Sequence, residues 1–138
     1  MFDPSALRAC ASTLPEVQLL VLFGSAARGQ LRPDSDIDVG VLLTDSAADS
    51  AAARMRVEGQ LSVTCVRPLD FVVINHAPPQ LRFEIAKGEV LFERRPGAWR
   101  DMKAVAMIDW WDWQPTARAV HQVYLGQLRA RAEATRGP

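Results

Sequence analysis

Val21-Leu22-Phe23-Gly24-Ser25 is an apolar run ending in Gly-Ser, and after ten intervening residues Asp36-Ile37-Asp38-Val39 opens a second run with two aspartates. In a strand, side chains alternate faces, so Asp36 and Asp38 share one face while Ile37, Val39 and Val41 share the other. Two same-face carboxylates lie about 6.5–7 Å apart at roughly 3.3 Å per residue. That spacing suits a pair of magnesium ions about 3.5–4 Å apart that share carboxylate and phosphate oxygens. Gly24 has no Cβ, which lets a phosphate approach the backbone. Ser25 opens a short helical turn whose free N–H groups favour an anion. Clustered carboxylates repel one another unless a cation balances them. The plainer alternatives are exposed acids near a turn for Asp36 and Asp38, and an ordinary helix N-cap for Ser25.

From this centre the chain reads as strands alternating with helices. Asp3-Pro4-Ser5 starts a helix that runs to about Leu14 and stops at Pro15. Val17 to Phe23 is nearly all apolar, as expected of a strand covered on both faces. Ser25 to Gln30 is a short helical turn, Leu31 to Ser35 a loop, and Asp36 to Leu43 the clearest alternation. An alanine-rich helix follows from about Ala47 to Gln60, and Val63 to Val66 is either a short strand or a loop. Asp70 to Ile74 is a third strand. Pro78-Pro79 opens a helix capped at Gly88, and Val90 to Phe92 is a short strand. The remainder predicts two helices, Ala98 to Asp109 and Pro115 to Arg131, broken at Pro115. The second carries Ala117, Val120, Tyr124 and Leu128 on one stripe.

A third carboxylate, Asp70 in Leu69-Asp70-Phe71-Val72-Val73-Ile74, heads the later strand and would complete the site, orienting or deprotonating a hydroxyl. A solvated strand-initial acid is its plainer reading. The pattern G-S-x10-D-x-D with this later aspartate resembles the DNA polymerase beta-type nucleotidyltransferase superfamily. Within it, the short chain is similar to the minimal nucleotidyltransferases, the MNT proteins usually paired with a HEPN-domain protein. The motif spans Gly24 to Val39. A weaker likeness runs through Leu81-Arg82-Phe83-Glu84-Ile85-Ala86-Lys87-Gly88-Glu89-Val90-Leu91-Phe92-Glu93, so the resemblance covers the chain to about residue 95.

The resemblance implies an α/β (α+β) fold, polymerase beta-like, with a small mixed sheet flanked by helices. It implies one domain over 1–138, with a core of about 1–95 and a C-terminal helical extension of about 96–138. It also implies Asp36, Asp38 and Asp70 as catalytic residues and metal ligands for two magnesium ions, with Gly24 and Ser25 holding the phosphates of ATP. The implied activity is AMP transfer to a hydroxyl, a tyrosine of a cognate HEPN ribonuclease toxin, which makes the chain an antitoxin. The alternatives are a small-molecule nucleotidyltransferase resembling the aminoglycoside-modifying enzymes, an antitoxin that blocks its partner sterically, and a nucleotide-sensing module. The first needs an acidic acceptor pocket, whereas the C-terminal third carries Arg94, Arg95, Arg100 and Arg118.

Composition sets outer bounds. The 138 residues suffice to bury about two-thirds of the unfolded chain's surface as one domain. The 16 basic residues balance the 16 acidic ones, so no global field favours nucleic acid or anionic membrane. No direct nucleic-acid binding and no membrane association are expected, and the N-terminus lacks the basic head and apolar run of a signal peptide. Cys10 and Cys65 are far apart without metal-type spacing and read as reduced thiols, so a cytoplasmic location is expected. Arg28 and Arg32 are candidates to neutralise triphosphate charge, or are simply solvated. His76 and His121 have no partner at ligand spacing and read as surface or structural residues. Lys87 pairs with Glu84 along a helix. Trp110, Trp111 and Trp113 cannot all face one way on a helix, so at least one is expected to be exposed, either beside core packing or on an interface.

Overall fold

The computed structural model describes residues 2–135; residues 1 and 136–138, the outer ends of the expected domain, lie outside them. In chain order the elements are α1 (Ser5–Thr13), β1 (Val17–Phe23), α2 (Gly24–Ala27), β2 (Ile37–Leu43), α3 (Asp45–Ala48) and α4 (Ala51–Ser62). There follow β3 (Leu69–Val73), a 3₁₀ turn (Ile74–His76), α5 (Pro79–Ala86), β4 (Glu89–Glu93) and α6 (Ala98–Thr135).

The four strands form one mixed sheet in the order β3-β2-β1-β4. β1 pairs antiparallel with both β2 and β4, and β2 pairs parallel with β3. A parallel pair needs a crossover, and α3 and α4 supply it. Alternation along β2 sorts the two faces. Ile37, Val39, Val41 and Leu43 pack with Leu7 and Ala11 of α1 and Val57 and Leu61 of α4. On the opposite face, Val21, Phe23, Leu42 and Val72 meet Ile85 and Leu81 of α5 and Trp99 and Met102 of α6. β1 is buried everywhere except Gln18, as an apolar run covered on both sides should be. Gly40 lets α5 lie close to the sheet, because a Cβ there would come within 3.1–3.2 Å of Ile85 and Ile74.

Local chemistry explains the boundaries. The Ser5 N–H donates to Asp3 Oδ1 at 2.9 Å, starting α1. The single helix expected over 47–60 is two, because Ser50 caps a fresh start by accepting from the Ala53 N–H at 3.2 Å. Val63 to Val66 forms turns and bends, with Val66 fully exposed. Pro79 stands in the first turn of α5, where its missing N–H costs nothing. The Lys87–Glu84 pair forms at 2.9 Å.

The expected break at Pro115 does not occur: α6 is one helix of 38 residues with the proline inside it. Proline removes one helical hydrogen bond and crowds the carbonyl four residues back, at a cost of about 3 kcal/mol. Here that carbonyl belongs to Trp111, a residue on the solvent side of the helix and 64% exposed. The Ala-, Arg-, Leu- and Gln-rich sequence beyond is strongly helix-forming. Upstream, Trp110 stacks on Phe83 of α5 with ring centroids 5.0 Å apart, and Trp113 tilts against Trp110 at 5.5 Å. The tryptophan cluster thus divides, with Trp110 stacked on α5, Trp113 tilted against Trp110, and Trp111 facing solvent.

Candidate active site

The site lies where β1 ends and β2 and β3 begin. Phe23 of β1 pairs with Asp38 of β2, so Gly24 follows directly beside Asp38. In the parallel pair, Asp38 is in register with Asp70. That register brings together on the α5 face two carboxylates separated by 32 positions in the chain. Asp36 precedes β2 by one residue and is exposed.

The electrostatics follow from this crowding. The Asp38 carboxyl is held above its ordinary value, first by partial burial, then by contact with the Asp70 carboxyl and by the charges of Asp70 and Asp36. Arg28, in the turn after α2, acts in the opposite sense. Arg28 is therefore near the carboxylates. Arg32 instead lines a separate groove of about 880 Å³ with Phe2, Leu7, Ala26, Leu31 and Arg67, which none of the three aspartates lines.

Gly24 has a more specific duty than leaving room for phosphate. Its φ is +69°, and a Cβ built on it would lie 2.2 Å from Asp38 Oδ2. The space a side chain would occupy already holds the Asp38 carboxylate. This use of Gly24 was not readable from the motif, because it depends on the β1–β2 register. Ser25 lies inside α2, and no side-chain bond caps that helix, so the ordinary N-cap role is not the one it fills.

The donor set is all carboxylate oxygen and like-charged, with Asp38 partly buried and Asp36 and Asp70 exposed, which suits a hard divalent cation. Among the described residues no group of three or more His, Cys, Asp or Glu is already gathered at ligating distance. Asp38 and Asp70 are in contact, and Asp36 stands off from them. Behind the site, Asn75 fixes the β2–β3 frame: its side chain accepts from the Leu43 N–H and donates to the Leu43 carbonyl, both at 2.9 Å. Arg82 donates to the carbonyls of Ile74 at 3.1 Å and Asn75 at 2.7 Å, and pairs with Asp109 of α6 at 3.5 Å. His76 contacts the Ala48 carbonyl at 3.0 Å and is exposed, in keeping with a structural role.

Comparison with known proteins agrees with this geometry. The profile of the family "Polymerase beta, Nucleotidyltransferase" matches residues 6–96, which hold every strand and all three aspartates. This chain belongs to that family of nucleotidyltransferases. Among curated proteins, the Campylobacter jejuni spectinomycin 9-adenylyltransferase is 27% identical over 127 residues, covering 80% of this chain. The chain spans about half the length of that relative, 48%. A solved toxin–antitoxin structure with AMP-PNP superposes with a TM-score of 0.77 at 21% identity, covering 90% of this chain and 99% of the other. A structure of a tri-AMPylated Shewanella oneidensis HEPN toxin in complex with MNT antitoxin gives 0.67 at 19% identity, covering 89% and 99%. The expected polymerase beta-like fold is therefore the observed one. No described helix is long and apolar enough to cross a membrane.

Proposed function

We propose that this protein is an MNT antitoxin that transfers AMP from ATP to a tyrosine hydroxyl of a HEPN-domain toxin. The observation that carries the reading is the Asp38–Asp70 pair on adjacent strands, set against Gly24-Ser25 and flanked by Asp36. The similarity to antitoxin chains from toxin–antitoxin complexes, one with an AMPylated toxin, supports the choice of acceptor.

Asp36, Asp38 and Asp70 would hold magnesium, which, when bound, neutralises the carboxylate cluster and the triphosphate. The backbone N–H groups around Gly24 and Ser25, with Arg28, would bind the outgoing β- and γ-phosphates. The acceptor oxygen attacks the α-phosphorus, and the bond from that phosphorus to the oxygen bridging to the β-phosphate breaks. Pyrophosphate leaves, and the hydroxyl proton passes to the Asp70 carboxylate, which is exposed and so open to an incoming protein surface.

The test is label transfer from α-labelled ATP with magnesium to a HEPN-domain protein co-purified with this chain, with an Asp36→Asn/Asp38→Asn control. Labelled partner that disappears in the control is the expected result. Absence of label together with nucleotide-independent neutralisation of the partner would leave a steric antitoxin instead. A second reading, transfer to a small aminocyclitol, is favoured by the likeness to the spectinomycin enzyme. Label appearing on spectinomycin in the same assay would select it.

A further inference from the structure

α6 is longer than the body it packs on. Its inward stripe begins with Trp99, Met102 and Ala106 on the sheet and α5, and continues through Trp110 and Trp113. At about 100° per residue the same stripe runs on through Ala117, Val120, Tyr124 and Leu128. There the body has ended. No α6 residue after Ala106 is buried, and across residues 115–135 every side chain except Ala117 and Leu125 is exposed. Val120 is 63% exposed, Val123 62%, Tyr124 57% and Leu128 40%. At about 1.5 Å per residue, roughly 30 Å of helix projects with its apolar stripe bare.

Two observations say what kind of partner. At about 100° per residue, Val123, Val120, Tyr124 and Leu128 spread over roughly 140° of the circumference, and Leu125 extends this to about 200°. One facing helix covers a narrower seam than that. A groove with two walls covers it. The projecting residues 115–135 also carry Arg118, Arg129 and Arg131 against the single acid Glu133, three minus one, or +2. Two copies laid arm to arm would oppose like charges, whereas carboxylates on a groove rim would pair with them.

We propose that the projecting half of α6 is a docking arm, inserted into an apolar, carboxylate-rimmed groove on this protein's protein partner. The mode is helix in groove, with Val120, Tyr124 and Leu128 as anchors and the arginines at the rim. This inference rests on the reading that the acceptor is a protein, and it adds the surface by which that protein is held.

The experiment titrates a HEPN-domain protein co-purified with this chain with full-length wild type, with Val120→Ala/Tyr124→Ala, and with Arg118→Glu/Arg129→Glu. The alanine pair keeps helix propensity, which circular dichroism verifies. Loss of two anchors should weaken binding at least about 30-fold. Charge reversal should weaken it and flatten its salt dependence. Manganese-ATP binding should be unchanged in both, since the arm lies outside the carboxylate site. Tight wild-type binding that survives the alanine pair within about 3-fold would overturn the docking arm and leave the protein-acceptor reading standing. Wild type that does not bind at all removes both. A stable dimer of this chain alone, split by the alanine pair, would show that a second copy covers the stripe and would also overturn the proposal.

Discussion

Two glycines in this protein have the same backbone conformation and different neighbours, which makes them a matched pair. Gly24 has φ +69° and Gly29 φ +68°. A Cβ at Gly29 would meet nothing within 4 Å, whereas one at Gly24 would lie 2.2 Å from Asp38 Oδ2 and 3.1 Å from its Cγ. Placing alanine in the left-handed region costs about 1–2 kcal/mol, and the stiffer unfolded chain returns about 0.4–1 kcal/mol. The net cost of either Gly→Ala change is therefore about 1 kcal/mol, a fall in Tm of roughly 3–5 °C for a domain of this size. The clash at Gly24 adds little to that, because a carboxylate can rotate away. Rotation, however, takes Asp38 out of the site. Gly24→Ala should consequently lose more activity than the roughly 10–100-fold typical of removing an outer-shell support of a metal site. Gly29→Ala should keep activity within about 3-fold of wild type. The assay is thermal unfolding of both variants alongside pyrophosphate release from ATP. Comparable activities in the two variants would refute the reasoning, whether both were lost or both retained.

The Asp38 carboxyl is held above its ordinary value, so the folded state binds its proton more tightly than the unfolded state does. Its stabilising contribution is present below the ordinary carboxylate value of 3.8 and is lost as pH rises through the raised folded value. Metal-free Asp38→Asn should therefore melt above wild type at pH 7, with the gap narrowing as pH falls toward 4. Added manganese should raise the Tm of wild type and leave the variant unmoved. Trp110→Ala, which removes the ring stacked on Phe83, should cost about 2–4 kcal/mol in urea unfolding, while Trp111→Ala should change stability by less than about 0.5 kcal/mol. Asn75→Ala leaves the Leu43 N–H and carbonyl without their partner, and about 2 kcal/mol should be lost in the same measurement.

Much of this architecture is legible in the chain because the signals are local. The apolar run Val17–Phe23 and the alternation from Ile37 to Leu43 state strand, face and burial directly. Gly-Ser followed by Asp-x-Asp points to the nucleotidyltransferase family before any fold is known. What escapes is decided by distant partners. The adjacency of Asp38 and Asp70 depends on β3 returning parallel beside β2 in one register, and a one-residue slip would turn Asp70 to the other face. The continuity of α6 through Pro115 escapes because the local rule for proline is sound, while here the proline falls beside an exposed turn at Trp111 within a strongly helix-forming sequence. The split between α3 and α4 hangs on one hydroxyl, that of Ser50, in a stretch whose alanines read as unbroken helix.

The site is assembled against its own electrostatics, and the fold shows where the opposing energy comes from. Two carboxylates in register repel, yet neither strand can slide to separate them. Ile37, Val39 and Val41 alternate with Asp38 and are fully buried, so a shift of one residue would send three core side chains to the wrong face. From one side Gly24 gives Asp38 Oδ2 a place to lie, and from the far end Asn75 locks β2 to the turn after β3. Arg82 then ties that turn to α6 through Asp109. Repulsion that the sheet will not release by moving is released when positive charge arrives. The same reasoning accounts for Asp36, which contributes charge from the exposed edge of the cluster, where a cation can reach it without unfolding anything. The sheet holds Asp38 and Asp70 side by side before any ligand binds, so under the function proposed above little of the binding energy of a metal–nucleotide complex would go into ordering that pair.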